Sequence, residues 1–288
     1  MRRTIVLLSV FALLLASCGD DGGGEAAGDL LNEVMSEGTL TVATDPTYPP
    51  FSSYDGTWEG FDVDVANEIG ERMGVDVEFV TPTWDRIVAG DWGNEWQLSV
   101  GSMGPTATRQ EALLFTPAYY YTPAVLGVHE TNTAITGPAD LTGGTVGTCA
   151  GCDVYIEYLE GTLELAGAPA FEFQIHDAQV VTYAGIESNL AAIQDLTSGD
   201  CDAILDNMPA FQMAIEAGDP YKVLEPPLFV EPLVVALDRE SPLDPTSLAD
   251  EVSGIIEEMH TDGTLARLSC EWFGVDYSVA DPAQASTC

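Results

Sequence analysis

The sequence predicts an α/β protein with two lobes, each built on a mostly parallel sheet with flanking helices. Three observations support this prediction. The chain has 288 residues, which is long for one compact domain and suits two. Apolar residues make up 46% of it, so sizeable cores can be buried. Short strand-like runs alternate with amphipathic helical patterns, which is typical of parallel sheets covered by helices.

The first alternation predicts a strand, a helix and two further strands. The helix follows Gly60 and ends at Gly74, because glycine is common just after the last helical turn. Its apolar residues recur on one face, as expected for a helix that packs against a sheet. The predicted strands cover residues 40–43, 75–80 and 98–103.

A second alternation begins near Leu141. It predicts strands at 143–147, 180–183, 202–205 and 233–237 and helices at 155–159, 188–196, 248–259 and 263–268. Two extended stretches rich in β-forming residues are predicted to cross between the lobes, at 121–128 and 229–237. The second lobe is then an insertion in the first, with lobe 1 at 39–124 and 233–288 and lobe 2 at 125–232.

The charge balance excludes two classes of partner. Asp and Glu number 47 against 8 Lys and Arg, for a formal net charge of −39. Such a chain repels nucleic acid and anionic lipid. The acid excess indicates a solvated surface, and it suits a protein adapted to high salt, where ions screen the self-repulsion. Lys222 is the only lysine in the sequence, which fits that interpretation.

The N-terminus predicts export. A basic start is followed by an apolar run at 4–14 that is too short to span a bilayer comfortably. The next residues, LASC, resemble a bacterial lipobox and predict a signal peptide at 1–17 and a lipid on Cys18. An ordinary secretory signal with a chance cysteine is the alternative. Residues 18–38 are predicted to be the lipidated start and an acidic, glycine-rich flexible tether, so the protein would touch the membrane only through the lipid.

The cysteines favour structural disulfides, because export places the chain in an oxidising compartment. A disulfide between Cys270 and Cys288 could fix the C-terminal tail, and one between Cys149 and Cys152 could close a small loop. Cys201 completes the five that remain after Cys18, an odd number. A zinc site at the CxxC is the weaker alternative, and no metal or other cofactor is predicted.

Several motifs in order along the chain resemble a family 3 extracellular solute-binding protein, the polar amino acid-binding type. The resemblance implies a type II periplasmic-binding fold, ligand binding for an ABC transporter permease without catalysis, amino acids as the usual ligands, and a monomer. The matching stretches are DPTYPPF at 45–51, GFDVDVANEIGERMG at 60–74, SVGSMGPTATR at 99–109, FTPAYYYTP at 115–123, DLTGGTVGTCAG at 140–151, GDCDAILDNMP at 199–209 and MHTDGTLARLSCEWFGV at 259–275.

The resemblance assigns Arg109 to the ligand's α-carboxylate, and a guanidinium fork suits a carboxylate on chemical grounds alone. A surface ion pair is the alternative reading. Backbone groups and a hydroxyl of the preceding loop are expected to bind the ligand too, from Met103, Gly104 and Thr106. Gly104 lies where the family often has Ser or Thr, and Ser102 is a partial substitute.

Lobe 1 is also expected to contribute two aromatic rings, Tyr48 and Trp84, which would sandwich the ligand. Asp45 matches an acid that helps bind an amino group or a basic side chain. From lobe 2, the loop at Gly151, Cys152 and Asp153 is expected to complete the carboxylate site with backbone N–H groups.

The acid expected to hold the ligand's ammonium is missing from its usual place. An ungapped alignment puts Asn207 there, with Asp206 one residue earlier. Neighbours on a strand face opposite ways, so the two are not interchangeable. A compatible solute or another small carboxylate is therefore an alternative ligand. A cyclohexadienyl dehydratase-like enzyme and a sensor module are alternative functions; the enzyme would need a cleft carboxyl with a raised pKa.

Overall fold

The computed structural model describes residues 28–183, 188–281 and 284–288. The predicted signal peptide and Cys18 lie outside the described residues. An eight-stranded sheet runs through the whole molecule in the order β5-β1-β6-β11-β7-β10-β8-β9. Its strands are β1 (Thr39–Ala43), β5 (Asp76–Val80), β6 (Leu98–Met103), β7 (Leu113–His129), β8 (Thr145–Cys149), β9 (Gln179–Tyr183), β10 (Ala203–Asn207) and β11 (Tyr221–Asp238).

Two long strands join the halves of this sheet. β7 and β11 pair antiparallel from Tyr221 opposite His129 to Asp238 opposite Leu113. On one side β6, β1 and β5 extend the sheet, and on the other side β10, β8 and β9 do so, with parallel pairing inside each group. The two crossover segments predicted from the sequence lie within β7 and β11. The two predicted sheets are therefore one continuous sheet, because its central strands belong to both lobes.

The helices cover the faces of the sheet, as expected for α/β alternation. α2 packs apolar residues onto lobe 1 and ends at Gly74, whose φ of 75° is readily adopted only by glycine. A small three-stranded sheet of β2 (Thr47–Tyr48), β3 (Ser52–Tyr54) and β4 (Trp58–Glu59) precedes it. The helices are α1 (Leu30–Glu37), α2 (Phe61–Met73), α3 (Trp84–Ala89), α4 (Asp153–Glu160), α5 (Ser188–Ser198), α6 (Met208–Glu216), α7 (Thr246–Thr261) and α8 (Thr264–Phe273).

Helix α1 corrects the predicted extent of the tether. Residues 18–38 were expected to be flexible, but Leu30 and Val34 are buried in the core of lobe 1. The Asp29 carboxylate accepts a hydrogen bond from the N–H of Asn32 and caps the helix, and Gly38 ends it in the left-handed conformation. The prediction failed here because α1 is short, and its amphipathic pattern was assigned to the same flexible segment as the acidic, glycine-rich residues before it. Among the described residues, no helix is long and apolar enough to cross a bilayer.

Candidate functional site

Arg109 lies where the two lobes meet. It follows the loop after β6, and its side chain is only 5% exposed. Its Nη1 donates to the Gly104 carbonyl at 3.0 Å, and its Nη2 pairs with the Asp153 carboxylate across the cleft at 3.0 Å. Its Nε is buried and has no hydrogen-bond partner among the described residues. The guanidinium also lies 5.2 Å from the centre of the Trp84 ring, within cation–π range.

The loop before Arg109 is held in place by hydrogen bonds to buried residues of lobe 1. Ser102 adopts a φ of 52°, unusual for a residue other than glycine. Its N–H donates to the Tyr119 hydroxyl at 3.0 Å, and its hydroxyl donates to the Asp62 carboxyl at 2.7 Å. Burial raises the pKa of Asp62 to about 7, against the hydrogen bonds from Tyr119 and Ser102 that lower it. The Ser102 hydroxyl therefore orders the loop and is directed to Asp62.

The other predicted residues of this loop are also tightly packed. Met103 is fully buried in a cluster of lobe 1. The buried Thr106 hydroxyl accepts a hydrogen bond from the Arg109 N–H at 3.2 Å, which is a local turn contact. The Thr106 side chain therefore supports the turn that positions Arg109.

The two predicted rings contact the opposite lobe. The Trp84 indole donates from Nε1 to the Gly151 carbonyl at 3.1 Å. The Tyr48 hydroxyl accepts from Asn207 Nδ2 at 3.1 Å, and the Tyr48 ring packs 4.7 Å from the Phe51 ring. Together with the Arg109–Asp153 pair, these bonds tie the lobes together along the cleft. Asp45 is not part of this group, because it is exposed and accepts hydrogen bonds from its near neighbour Thr47.

The lobe 2 loop turns into α4 at the cleft. Gly151 has a φ of 86°, and a Cβ there would approach Trp84 Cδ1 to 3.3 Å. Cys152 immediately precedes the helix, and its Cα lies 5.3 Å from that of Cys149. Asp153 is the first helical residue, and the N–H groups of Asp153 and Val154 have no partner within the helix, whereas the N–H of Tyr155 donates to the Cys152 carbonyl at 3.0 Å. An anion beside Asp153 would meet those N–H groups and Arg109.

Asn207 caps α6, and its side-chain amide bonds both to lobe 2 and to Tyr48 of lobe 1. Its side-chain carbonyl accepts from the Ala210 N–H at 2.9 Å, and its Nδ2 donates to Asp206 Oδ1 at 3.0 Å as well as to Tyr48. The amide therefore fixes Asp206 and the ring of Tyr48 together.

Sequence reasoning missed two residues of this region. Glu231 of β11 is buried, and burial raises its pKa to about 7 against the attraction of Arg109 and a hydrogen bond from Tyr155. Tyr155, on α4, is buried as well. Burial also raises the pKa of the Asp206 carboxyl, to about 6. One signal was present: Glu231 is the lone acid in the apolar run 228–237, which overlaps the stretch predicted to cross between the lobes.

Comparison with known proteins identifies the family. The sequence profile of the bacterial extracellular solute-binding proteins, family 3, matches residues 40–275. The chain belongs to this family. It is 26% identical to the L-cystine-binding protein TcyA of Bacillus subtilis, over 95% of this chain and 96% of that protein. It is 29% identical to the L-cystine-binding protein TcyJ of Escherichia coli K12, over 86% of this chain and 87% of that protein.

A solved structure supports the same assignment. The crystal structure of AncCDT-1, an ancestral amino acid-binding protein and a precursor of cyclohexadienyl dehydratase, superposes with a TM-score of 0.67. The two are 27% identical, and the match covers 84% of this chain and 99% of that chain. This family 3 protein is therefore an extracellular solute-binding protein with the predicted two-lobed fold. Its described residues contain no group of three or more His, Cys, Asp or Glu placed to hold a metal ion.

Proposed function

We propose that this family 3 protein binds an amino acid between its lobes and delivers it to the permease of an ABC transporter. One observation carries the proposal: Arg109 is a buried guanidinium at the lobe contact, and its Nε is unpartnered among the described residues. A guanidinium fork matches a carboxylate, and the pair is strong when water is excluded. The α-carboxylate of an amino acid is the group that Arg109 recognises.

In this mechanism the ligand carboxylate takes the place of Asp153 at the guanidinium. The Asp153 side chain is 46% exposed and can turn into solvent, whereas Arg109 stays bound to the Gly104 carbonyl. The exchange keeps the guanidinium paired with a carboxylate, so little electrostatic energy is lost. Free N–H groups at the start of α4 then face the ligand, which suits an anion.

The rings act as the side walls of the site. Tyr48 and Trp84 each contact lobe 2, at Asn207 and Gly151 respectively. A ligand between the lobes exchanges these contacts for its own with the ring faces. A ring face attracts an ammonium group by about 0.5 to 2 kcal/mol. We assign Tyr48 and Trp84 to the ligand on this basis, and Ser102, Met103 and Thr106 to the support of the loop.

A thermal-shift screen tests the proposed function. The panel comprises the standard amino acids, compatible solutes and prephenate, in low and high salt. An amino acid at 100 times its Kd should stabilise the protein by about 2.7 kcal/mol, which is easily detected. A shift caused by compatible solutes alone would contradict the amino acid assignment. Conversion of prephenate would show that the protein is an enzyme.

We propose that Cys18 carries a lipid that anchors the protein outside the cytoplasmic membrane. The LASC sequence after a basic start supports this. In a bacterial host, Cys18→Ser should move the protein from the membrane fraction to the soluble exported fraction. Ser17→Ala, which retains the cysteine, is the matched control and should remain with the membrane. A wild-type protein that is soluble with an unmodified N-terminus would refute the anchor.

The lobe boundaries, the disulfides and the monomeric state are further parts of the proposal. Two clusters of buried side chains fall within residues 30–120 and 233–277, and two fall within 124–229, which supports a second crossing at 232/233 and a first crossing just before the expected 124/125. The Cα separation of 5.7 Å between Cys270 and Cys288, like that of the CxxC pair, suits a disulfide. Cys201 is buried and free.

A further inference from the structure

Two carboxyls in the cleft form no ion pair with any described residue. Glu231 of β11 is 5% exposed, and Asp206 of β10 is partly buried on the far side of β7, close enough to act electrostatically on the Glu231 carboxyl. Burying a carboxylate is costly unless a cation or hydrogen-bond donors compensate. This arrangement is therefore suited to a cation that comes from outside the protein.

The backbone makes room for Glu231 at one position. A Cβ on Gly104 would lie 2.9 Å from Val154 Cγ2 and closer still to Glu231 Oε1, distances that real Cβ atoms do not adopt. The Glu231 carboxyl therefore occupies the space beside position 104, where the family often has Ser or Thr. Position 104 thus offers no side-chain hydroxyl, and a carboxyl of the crossover strand β11 lies beside it.

Arg109 supplies an independent indication of a ligand. Its buried Nε is a donor without an acceptor in the described residues, while Glu231 and Asp206 accept hydrogen bonds from Tyr155 and Asn207 but form no ion pair there. Donor and acceptors lie in the same cleft, since Arg109 and Asp206 both act electrostatically on the Glu231 carboxyl. A molecule with a carboxylate at one end and positive charge at the other would pair with Arg109 and with the two carboxyls.

We propose that Glu231 and Asp206 form a cation-binding subsite, and that the ligand is an amino acid with a second positive charge. The inference rests on the proposed function, because Arg109 must hold the α-carboxylate. The α-ammonium group accounts for one carboxyl, and Asn207 is neutral and already bonded to its neighbours. A basic side chain accounts for the second carboxyl, which would otherwise stay buried with hydrogen bonds but without an ion pair.

The test compares L-arginine with L-citrulline, which has nearly the same shape but an uncharged side chain. In calorimetry at pH 8, L-arginine should bind at least about tenfold more tightly, as expected for a charge-assisted contact. Glu231→Gln should remove most of this preference for L-arginine over L-citrulline. Glu225→Gln, an exposed acid on the same strand, is the matched control and should change neither affinity.

Proton release provides a second readout. Glu231 faces Arg109, Tyr155, Asp206 and the ring of Tyr48, and its raised pKa means that it is partly protonated near pH 7. A cation favours the charged carboxyl, so its binding should expel up to about one proton. Affinity should then rise from pH 6 to pH 8. Titrations of L-arginine in phosphate and Tris buffers measure this release, which Glu231→Gln should reduce.

The outcomes distinguish failure of the proposed cation subsite from failure of the proposed amino acid binding. If the tightest amino acid in the screen has a neutral or acidic side chain, the cation subsite is wrong while the amino acid function stands. If Glu231→Gln keeps the full preference for L-arginine, the subsite is also wrong. If no amino acid binds to wild-type protein, the proposed function itself fails. Glu231→Gln should fold normally, since it replaces a carboxyl that is already partly neutral at pH 7.

Discussion

Arg109→Ala should weaken amino acid binding at least a hundredfold. Removal of the guanidinium leaves the ligand carboxylate in the cleft without its counter-charge, which typically costs about 3 to 5 kcal/mol. Every 1.4 kcal/mol corresponds to about tenfold in affinity. Calorimetry with the tightest ligand of the screen measures the loss. A folded Arg109→Ala protein that binds within threefold of wild type would refute the proposed site.

Two further variants test whether the loss of affinity is specific to the guanidinium of Arg109. Arg109→Lys should also bind poorly, because an ammonium cannot reproduce the two-pronged geometry of the guanidinium. Arg86→Ala removes an exposed arginine that pairs with Glu95 and should leave affinity unchanged. The fold should survive the loss of Arg109, because its partner Asp153 is half exposed and can be hydrated. Melting temperatures of the three variants provide that check.

The melting temperature of the protein should rise by about 10 °C between 0.1 M and 1 M salt, a change of roughly 3 to 5 kcal/mol for a chain of this size. The reason is the net charge of −39, which makes the folded state repel itself. The Debye length falls from about 10 Å to about 3 Å over this range, so the repulsion is screened. Scanning calorimetry in NaCl and in KCl should give the same curve, because screening depends on ionic strength.

A variant with fewer acidic residues tests whether the net charge causes the dependence of the melting temperature on salt. Glu71, Asp76 and Glu78 are exposed acids of lobe 1 that make no described side-chain hydrogen bond or ion pair. Replacement of all three by Gln or Asn should raise the melting temperature in low salt and flatten its dependence on salt. A wild-type melting temperature that stays constant from 0.1 M to 1 M would rule out adaptation to high salt.

The outer strands of the sheet could be predicted from sequence because they are short apolar runs with clear boundaries, whereas the crossover strands extend over 17 and 18 residues and make one sheet of the predicted two. β6 has the predicted bounds, 98–103, and both crossover segments lie in long strands. Helix α1 was missed because only a few of its residues are apolar and the glycine-rich stretch before it dominates the local composition. Its stability comes from packing onto lobe 1, chiefly against α7, which a local pattern does not reveal.

The site could be predicted only in part. The family motif led to Arg109, and the structure places it at the lobe contact with Asp153 and Trp84 close by. The motif could not reveal that the Thr106 hydroxyl is used within lobe 1, because hydroxyl orientation depends on the folded turn. Nor could it reveal Glu231, which is more than a hundred residues away from Arg109 in sequence and reaches the cleft only because β11 crosses between the lobes.

The close approach of Gly104 and Glu231 also makes substitutions at these two positions interdependent. A side chain at position 104 would meet both the Glu231 carboxyl and a methyl group of Val154, so both would have to move. Of the two, Glu231 is the more adaptable, because its carboxyl is the end of a flexible side chain. The cost of a serine at position 104 therefore depends on which residue occupies position 231, so the two positions are linked by epistasis.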